Sequence, residues 1–373
     1  MTNLTLILLA AGSSSRFECD VKKQWLRVGH QPLWQFVTNK CVETKLFDKV
    51  IITSSKDDIE FMRNHESFIF VEGSTTRQGS LKNALKEVQT DFVLVSDIAR
   101  ACINEDFLKN IIAKKTEADS IVPYLKVSDT IIYQDKTIDR NKVKRVQTPQ
   151  LSKTTVLKDA LNTDKEFTDE SSAIVANGGT RKFILGESDA NKITHISDLN
   201  SLACLSKPSS DILSGTGFDV HAFDESKKMF LGGVEIDSNF GFRAHSDGDV
   251  AIHALIDALL GAAGMGDIGM MFPDSSDEYK NIDSKILLKR VVNKIYGFGF
   301  VIVNVDITIA AQTPRIGKYK LQMRKTIADI LNCDSSRVNI KATTTEKLGF
   351  IGRSEGVGVI ANANLKYFDW TKI

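Results

Sequence analysis

The sequence contains no run of apolar residues that approaches the roughly 20 a helix needs to span a bilayer. Its apolar start, residues 1–11, has no basic region and leads into a Gly/Ser loop, which predicts a buried strand and not a signal peptide. The formal net charge is only +1, so any affinity for polyanions must come from local sites. We therefore expect a soluble, cytoplasmic protein that binds neither nucleic acid nor membrane.

Cysteine is also scarce and scattered. The five cysteines form no Cys-x-x-Cys pair, and they are Cys19, Cys41, Cys102, Cys204 and Cys333. This spacing predicts reduced thiols and argues against a zinc site built from thiolates.

The length of 373 residues predicts two domains, because single hydrophobic cores rarely grow so large. In the first half, short apolar runs alternate with helical patterns, which predicts an α/β fold with a doubly wound, mainly parallel sheet. The runs lie at 4–10, 49–53, 68–71, 92–96 and 120–122. A long polar, β-rich stretch at 126–145 breaks the alternation and predicts a protruding β-arm.

The best linker candidate is Ser-Lys-Pro-Ser-Ser-Asp at 206–211, which is polar and contains proline. Beyond it, few helices and mainly adjacent strands predict an α+β domain with a long apolar helix at 249–263. We therefore expect one domain at 1–205, a linker at 206–212 and a second domain at 213–373.

The first strand ends in small residues that suit a phosphate-binding loop. Ala10, Ala11 and Gly12 lead toward a helix, and Arg16 and Lys23 follow closely. Small residues let backbone N–H groups approach phosphate oxygens, and two cations offset the roughly four negative charges of a nucleoside triphosphate. The loop matches neither a Walker A motif nor a dinucleotide fingerprint, and by itself it is as often a plain tight turn.

Two further strands end in polar groups. The strand at 92–96 ends at Asp97, which suits Mg²⁺, although a lone aspartate there is more often a helix cap. The strand at 68–71 leads into a polar loop at 73–80. In an open α/β sheet such loops meet at the ligand-binding edge, so together they predict one site.

These motifs resemble those of the 2-C-methyl-D-erythritol 4-phosphate cytidylyltransferase family. The shared motifs are Ala-Ala-Gly-x-x-x-Arg at 10–16, Lys-Gln at 23–24, Asp-Ile-Ala-Arg at 97–100, Thr-Pro-Gln at 148–150 and Thr-Asp-Glu-Ser at 168–171. The resemblance covers the first domain. It implies a nucleotidyltransferase-like sheet that transfers CMP from CTP to methylerythritol phosphate and releases pyrophosphate, with Mg²⁺ or Mn²⁺.

The resemblance also implies roles for individual residues. Arg16 and Lys23 would stabilise the pentacovalent phosphorus, Lys192 would position the methylerythritol phosphate, and Asp97 would bind its hydroxyls or a Mg²⁺ ion. Thr137 would reach a partner subunit on a swapped arm. The other implied binding positions are Ala10, Ala11, Gly12, Ser80, Lys153 and Thr154.

The chain departs from this family at Ser74, Ser96 and Thr154, where Lys153 is a candidate to supply the missing charge. These departures keep open an alternative in which the first domain is a degenerate assembly scaffold, although the retained basic residues and Asp97 argue against it. A further alternative is a sugar-nucleotide pyrophosphorylase fused to a zinc phosphohydrolase.

Three of the six histidines, His221, His245 and His253, lie close together in the second domain. Asp219 and His221 are two residues apart on a predicted strand and so share a face, while His253 lies on the apolar helix. A histidine on such a helix is more often a hydrogen-bonded core residue. Asp219, His221 and His253 would nevertheless leave one position of a tetrahedral zinc site open, as in catalytic sites.

The second domain resembles the 2-C-methyl-D-erythritol 2,4-cyclodiphosphate synthase family. The shared motifs are Gly-Phe-Asp-Val-His at 217–221, Ala-His-Ser-Asp-Gly-Asp-Val at 244–250, Gly-Asp-Ile-Gly at 266–269, Phe-Pro-Asp at 272–274 and the stretch 341–353. The resemblance implies cyclisation of 4-CDP-2-C-methyl-D-erythritol 2-phosphate with release of CMP, a phosphorus–oxygen lyase reaction. It also implies a homotrimer with active sites between subunits.

In that resemblance zinc or another divalent cation would be held by Asp219, His221 and His253, and Mg²⁺ or Mn²⁺ by Glu346. His245 and Thr344 would stabilise developing charge. The further substrate-binding positions would be Ser246, Asp267, Ile268, Gly269, Asp274, Thr343, Phe350 and Arg353, besides Glu346.

The two implied steps are not consecutive, because a kinase acts between them. We therefore expect no direct channelling within the chain, and weak association with that kinase is a hypothesis. A dimeric first domain and a trimeric second domain would combine as a hexamer.

Overall fold

The structure, a computed structural model, describes residues 3–63, 68–273 and 275–373. The chain divides into two compact units, of which the first contains Met1–Pro208 together with Asp369–Ile373 and the second Ser209–Phe368. None of the helices in the described ranges combines the length and the apolar character needed to cross a membrane.

The strands and helices of the first unit alternate along the chain. Its strands are β1 (Leu4–Leu9), β2 (Arg27–Val28), β3 (Gln31–Pro32), β4 (Lys49–Ser54), β5 (Ile69–Glu72), β6 (Phe92–Asp97), β7 (Ser120–Lys126), β8 (Ile131–Tyr133), β9 (Lys136–Ile138), β10 (Lys144–Val146), β11 (Gln150–Lys153) and β12 (Arg181–Leu185). Its helices are α1 (Leu33–Glu43), α2 (Lys56–Met62), α3 (Arg77–Leu85), α4 (Glu105–Ala113), α5 (Thr154–Ala160) and α6 (Glu170–Ala176).

The described residues of this unit form an eight-stranded sheet in the order β10-β7-β11-β6-β1-β4-β5, with β12 beside β7. All six residues of β1 are buried, and β1 pairs in parallel with both β4 and β6. A strand buried on both faces has a nearly continuous run of apolar residues, which is typical of strands in parallel sheets. The predicted α/β sheet is therefore confirmed, and the predicted arm is the exposed hairpin of β8 and β9.

The second unit contains strands β13 (Leu213–Asp224), β14 (Met229–Leu231), β15 (Val234–Ile236), β16 (Gly241–Phe242), β17 (Phe300–Ala310), β18 (Val338–Thr343) and β19 (Gly356–Tyr367). Its helices are α7 (Val250–Ala263), α8 (Ile268–Met271), α9 (Ser284–Gly297), α10 (Lys320–Leu331) and α11 (Gly349–Gly352). Five of the strands form a sheet in the order β16-β13-β19-β17-β18, so the predicted α+β domain is confirmed.

Two glycines bring helix α7 close to strand β13. A Cβ atom on Gly215 would lie 2.2 Å from the Ala258 carbonyl oxygen, and one on Gly217 would lie 2.0 Å from that of Ala254. Both distances are too short for any side chain, so only glycine permits this approach. Because His253 lies on α7, the same approach sets it beside the functional side chains of β13.

The chain differs from the sequence expectation in two respects, both in the first unit. Cys102 and Cys204 form a disulfide, so the expectation of reduced thiols is wrong for this pair. The final five residues, expected in the second domain, belong to the first unit. There Trp370 is buried and its indole Nε1 donates to the Arg27 carbonyl oxygen at 2.7 Å.

Candidate active sites

The first unit contains a cavity of about 480 Å³ at the ends of β1 and β6. Its wall brings together loops that are far apart in the sequence, as the topology of an open α/β sheet predicts. Eight of the residues that the sequence singles out line it, and they are Ala10, Ala11, Gly12, Arg16, Lys23, Ser80, Asp97 and Lys192.

Lys23 lies in this wall with its ammonium group directed inward. The Nζ atom donates to the Ile193 carbonyl oxygen at 3.1 Å and lies 5.9 Å from the centre of the Phe17 ring. Burial, together with the positive charges of Lys192 and Arg16, lowers the pKa of Lys23 below its ordinary value of 10.5. Cationic side chains that lie this close repel one another, and a bound polyanion relieves that repulsion.

The lowered pKa of Lys23 predicts an alkaline limit to catalysis by the first unit. If the protonated amine is needed, activity should fall as pH rises through a pKa below 10.5. In Lys23→Arg the guanidinium stays protonated, so the rate should be lower but this alkaline limb should disappear. Pyrophosphate release measured between pH 7 and pH 11 tests the expectation, and an unchanged limb in the variant would contradict it.

Asp97 lies at the floor of the cavity in a network of charged groups. Its Oδ1 accepts from Arg77 Nε at 3.2 Å and its Oδ2 from Lys192 Nζ at 2.9 Å. Arg77 also pairs with the buried Glu170 at 2.6 Å. Burial alone would raise the pKa of Asp97, but the charges of Arg77 and Lys192 hold it well below its ordinary value. In this structure Asp97 is therefore the partner of two cationic side chains.

Removing Arg77 should destabilise the first unit. In Arg77→Met the Glu170 carboxylate, whose side chain is 0% exposed, loses its cationic partner. We expect a loss of about 3–5 kcal/mol in the free energy of unfolding, because an unpaired charge stays buried. All three tryptophans, Trp25, Trp34 and Trp370, belong to this unit, so tryptophan fluorescence during urea unfolding reports on it alone.

The matched control is Lys109→Met, which removes an exposed pair with Glu105 on helix α4. Such surface pairs contribute only about 0–1 kcal/mol. Equal unfolding midpoints for the two variants would refute the structural importance of Arg77.

Three predicted positions lie outside this cavity. Lys153 is the last residue of β11, which runs antiparallel to β6 and pairs Lys153 with Phe92, and Thr154 begins helix α5. Lys153 Nζ contacts Asp119 there at 3.0 Å. Thr137 is exposed on the β8–β9 hairpin. Within one chain these three therefore do not join the cluster around Asp97.

A neighbouring cavity of about 400 Å³ shares Lys192 with the first. Arg100 and Arg145 also line it, and the charge of Arg145 adds to burial in lowering the pKa of Arg100. Two guanidinium groups that repel each other mark a second place suited to an anion. Neither Arg145 nor Arg77 was predicted from the sequence as a site residue, because their partners come from distant segments.

The second unit contains a cavity of about 490 Å³ between β13, α7 and α8. Seven of the predicted site residues line this cavity, and they come from the motifs around residues 219, 245 and 268. They are Asp219, His221, His245, Ser246, His253, Ile268 and Gly269.

Asp219, His221 and His253 direct their ligand atoms at one another. Asp219 Oδ2 lies 3.2 Å from His221 Nε2 and 3.3 Å from His253 Nδ1. The ligand atoms of the three residues lie within 4.8 Å of one another, and no other such group of three occurs in the described ranges. Two imidazoles and one carboxylate are the donor set that divalent zinc prefers, so these residues fit such an ion.

The neighbours of both histidines fix the tautomers that metal binding needs. His221 Nδ1 lies 2.9 Å from the Gly248 carbonyl oxygen, which can only accept, so Nδ1 carries the proton and Nε2 is free. Ser284 Oγ donates to the Asp247 carboxylate and lies 3.0 Å from His253 Nε2. Toward His253 Nε2 the Ser284 hydroxyl can then only accept, which favours the Nε2–H tautomer with the Nδ1 lone pair facing Asp219; Ser246 Oγ lies 3.2 Å from the same Nε2.

The hydrogen bonds that connect Asp247, Ser284 and His253 form a relay, and breaking this relay should weaken metal binding. In Ser284→Ala the Asp247 carboxylate loses the hydroxyl through which it fixes the His253 tautomer. We expect an affinity for Zn²⁺ lower by about 10–100-fold, as is usual for outer-shell partners. Competition with a chromophoric chelator measures it without any activity assay. Ser335→Ala, an exposed serine of the same unit, should leave the affinity unchanged, and equal affinities would disprove the relay.

Several other predicted positions do not line this cavity. Asp267 caps helix α8, where its carboxylate accepts from Met270 N at 2.8 Å. Thr344 Oγ1 donates to Glu346 Oε1 at 3.0 Å in the loop after β18. Thr343, Phe350 and Arg353 are exposed around the same loop, and Asp274 lies outside the described residues. One chain thus presents two separate groups of predicted residues.

Asp257 is a lining residue that the sequence analysis did not choose. It lies one turn after His253 on α7 and accepts from Ile268 N at 2.8 Å, which ties the α8 loop to the cavity. Its spacing of four residues from His253 was the available signal. Asp249, four residues before His253, is instead a buried cap that accepts from the backbone of Gly232, Gly233 and Ile252.

Comparisons with known proteins match both halves of the chain. The family model described as 2-C-methyl-D-erythritol 4-phosphate cytidylyltransferase (IspD) matches residues 4–205, and the YgbB family model matches residues 212–366. A protein of Sulfurimonas denitrificans named bifunctional enzyme IspD/IspF is 71% identical over 370 residues, which cover 99% of this chain and 96% of that protein.

A second protein of that name, from Aliarcobacter butzleri, is 52% identical over the full length of both chains, 373 residues. Among solved structures, the bifunctional IspDF from Campylobacter jejuni superposes with a TM-score of 0.90. It is 47% identical, and the match covers 99% of each chain.

Proposed function

The chain belongs to the bifunctional IspD/IspF family, and from this membership we propose which residues perform each of its two reactions. It is a 2-C-methyl-D-erythritol 4-phosphate cytidylyltransferase and a 2-C-methyl-D-erythritol 2,4-cyclodiphosphate synthase of the non-mevalonate isoprenoid pathway. We assign cytidylyl transfer to residues 1–205 and cyclisation to 213–373, with 206–212 as the connection. A cytoplasmic location is part of the proposal.

In the first reaction CTP occupies the cavity of the small-residue loop. Backbone N–H groups of Ala11 and Gly12 face its phosphates, and Arg16 and Lys23 offset the charge that builds on the α-phosphorus. A phosphate oxygen of methylerythritol phosphate forms the new bond to that phosphorus, and the bond to pyrophosphate breaks. Mg²⁺ or Mn²⁺ bound with the triphosphate adds further neutralisation.

The acceptor lies on the Lys192 side of the same cavity. Lys192 is shared with the neighbouring cavity, so its ammonium stands between nucleotide and acceptor. Arg77 and Lys192 hold the Asp97 carboxylate in place, so that its oxygens can accept hydrogen bonds from the hydroxyl groups of methylerythritol phosphate. Thr137 is assigned to the site of a partner subunit, with its exposed hairpin as support.

In the second reaction Asp219, His221 and His253 hold a divalent ion, for which zinc is the best match to the donors. Such an ion supplies Lewis-acid polarisation of a phosphate oxygen. The chain's own residues bring the two phosphates of the substrate together, since the 2-phosphate attacks the β-phosphorus and CMP leaves. His245 and Ser246 line the wall where this charge develops.

We assign Thr344 and Glu346 to the active site of an adjacent subunit, with Glu346 holding Mg²⁺ or Mn²⁺. The support is that both lie in an accessible loop and outside the cavity of their own chain. This assignment makes the second domain a trimer and, with a dimeric first domain, the whole a hexamer. Analytical ultracentrifugation measures that stoichiometry. The same method tests the hypothesis that the intervening kinase binds weakly, and an absence of binding at micromolar concentration would reject that hypothesis.

The observation that carries the proposal is that each unit has its own cavity with a different chemistry, one lined by cationic side chains and one by a carboxylate and two imidazoles that fit a metal ion. The test uses the purified chain with CTP and methylerythritol phosphate, and separately with CDP-methylerythritol 2-phosphate, each with and without a chelator. We expect pyrophosphate in the first assay, and CMP with a cyclic diphosphate in the second. A linear phosphate carrying solvent oxygen would favour a phosphohydrolase, and no pyrophosphate would favour a scaffold.

A further inference from the structure

A buried carboxylate lies under the turn that carries Lys23. Asp58, on helix α2, is 0% exposed. Its Oδ1 accepts from Lys22 Nζ at 2.7 Å, and its Oδ2 accepts from Gln24 Nε2 at 3.0 Å. Asp58 therefore binds the side chains on both sides of Lys23, while Lys23 itself is directed into the cavity.

The turn is held from the opposite side as well. Lys23 N donates to Ser14 Oγ at 3.1 Å, which ties it to the small-residue loop. Asp58 is itself fixed, because its backbone N–H donates to Ser55 Oγ, the cap of helix α2, at 3.2 Å. The backbone of Lys23 is thus clamped between the loop that faces phosphate and a buried helix end.

Stability alone does not account for this arrangement. The side chain of Asp58 is 1% exposed, and removing a carboxylate from water costs as much as its ion pair with Lys22 returns. An apolar pair of the same volume would stabilise the fold at least as well. A fixed carboxylate that accepts two directed hydrogen bonds does, however, determine the position of the turn. Apolar packing, which has no directional contacts, would determine that position less strictly.

We propose that Asp58 is a positioning residue for cytidylyl transfer, which holds the Lys22–Gln24 turn so that the Lys23 ammonium stays aimed at the triphosphate cavity. The inference rests on the proposed role of Lys23 in that reaction. Asp58 touches neither cavity nor substrate, since it is absent from the lining and acts through its two neighbours in the turn.

The test compares Asp58→Asn with Asp57→Asn, its exposed neighbour on the same helix. A displacement of about 1 Å at a catalytic group costs on the order of 100-fold in rate. We expect kcat for pyrophosphate release to fall by that order in Asp58→Asn, with a much smaller change in KM for CTP. Asp57→Asn should behave as the unchanged chain, and Asp58→Glu should recover part of the rate.

The pH profile separates positioning from mere loss of fold. Lys23 is faced by Arg16, Lys192, Asp97 and Asp198, and burial lowers its pKa most. A turn released by Asp58→Asn lets the ammonium reach water, so the alkaline limb of kcat should move to higher pH. Loss of a negative charge without movement would shift the limb to lower pH, which would overturn the proposal.

Two further results keep the test decisive. If Asp58→Asn is not obtained folded, Gln24→Met removes one of the two contacts, leaves the Asp58 carboxylate paired with Lys22, and must lower kcat at least tenfold with the same upward shift of the limb. Unchanged kcat in either variant refutes the inference. Full activity in Lys23→Ala would instead refute the proposed role of Lys23, so the two failures can be told apart.

Discussion

His253→Ala should abolish cyclisation while cytidylyl transfer continues. His253 is one of the three proposed metal ligands in the second unit, and its Nδ1 lies 3.3 Å from the Asp219 carboxylate. Its loss leaves two ligands, too few to keep a divalent ion in place. We expect CMP release to fall on the order of 10³-fold, the scale of losing a preorganised electrostatic stabiliser.

Two measurements on the same preparation check this expectation. Metal analysis after dialysis should show that the bound ion is lost, and pyrophosphate release from CTP should stay within about twofold because its site lies in the other compact unit. His30→Ala, in the first unit, is the matched histidine control and should keep full cyclisation. If metal-free His253→Ala still catalysed cyclisation, the reaction would not require an ion bound by His253.

Lys23→Ala should give the opposite pattern. The Lys23 ammonium is half-buried, lies in the wall of the first cavity and has its pKa lowered by burial and by neighbouring cations. A desolvated cation stabilises phosphate charge far more than one in water. We therefore expect pyrophosphate release to fall by about 10²–10³-fold, mostly in kcat.

Cyclisation serves as the internal control for Lys23→Ala, since it should be unchanged in the same sample. Lys109→Ala, an exposed lysine on helix α4, removes the same chemical group away from the cavity and should keep both activities. If Lys23→Ala raised only KM for CTP, Lys23 would bind the ground state and the transition state alike.

Local patterns predicted most of the elements, and the family motifs supplied many of the residues that line the two cavities. The six apolar residues of β1 predicted a strand buried on both faces, and the spacing of Asp219 and His221 predicted that they share a face of β13. In both cases the information lies within a few residues. The approach of α7 to β13 needed Gly215 and Gly217 to be recognised as packing positions, which spacing alone does not reveal.

The features that the sequence did not predict depend on distant partners. Arg77 meets Asp97 and Glu170, which are 20 and 93 residues away. Cys102 and Cys204 are separated by 102 residues. Such pairs follow from how the chain folds back and leave no periodic signal. Thr344 and Glu346 match family motifs, yet one folded chain does not bring them to the cavity, because the proposed site needs a second copy.

The buried Trp370 belongs to the first unit although the second unit precedes it along the chain. Residues 369–373 cluster with residues 1–208, and the Trp370 indole is hydrogen-bonded to the backbone of Arg27. A nonsense codon just before position 369 would spare every cyclisation residue named above and still remove a piece of the transferase. A cut at residue 208 would likewise leave residues 369–373 on the fragment that contains the second unit, so the other fragment would lack the buried Trp370 side chain of its own unit.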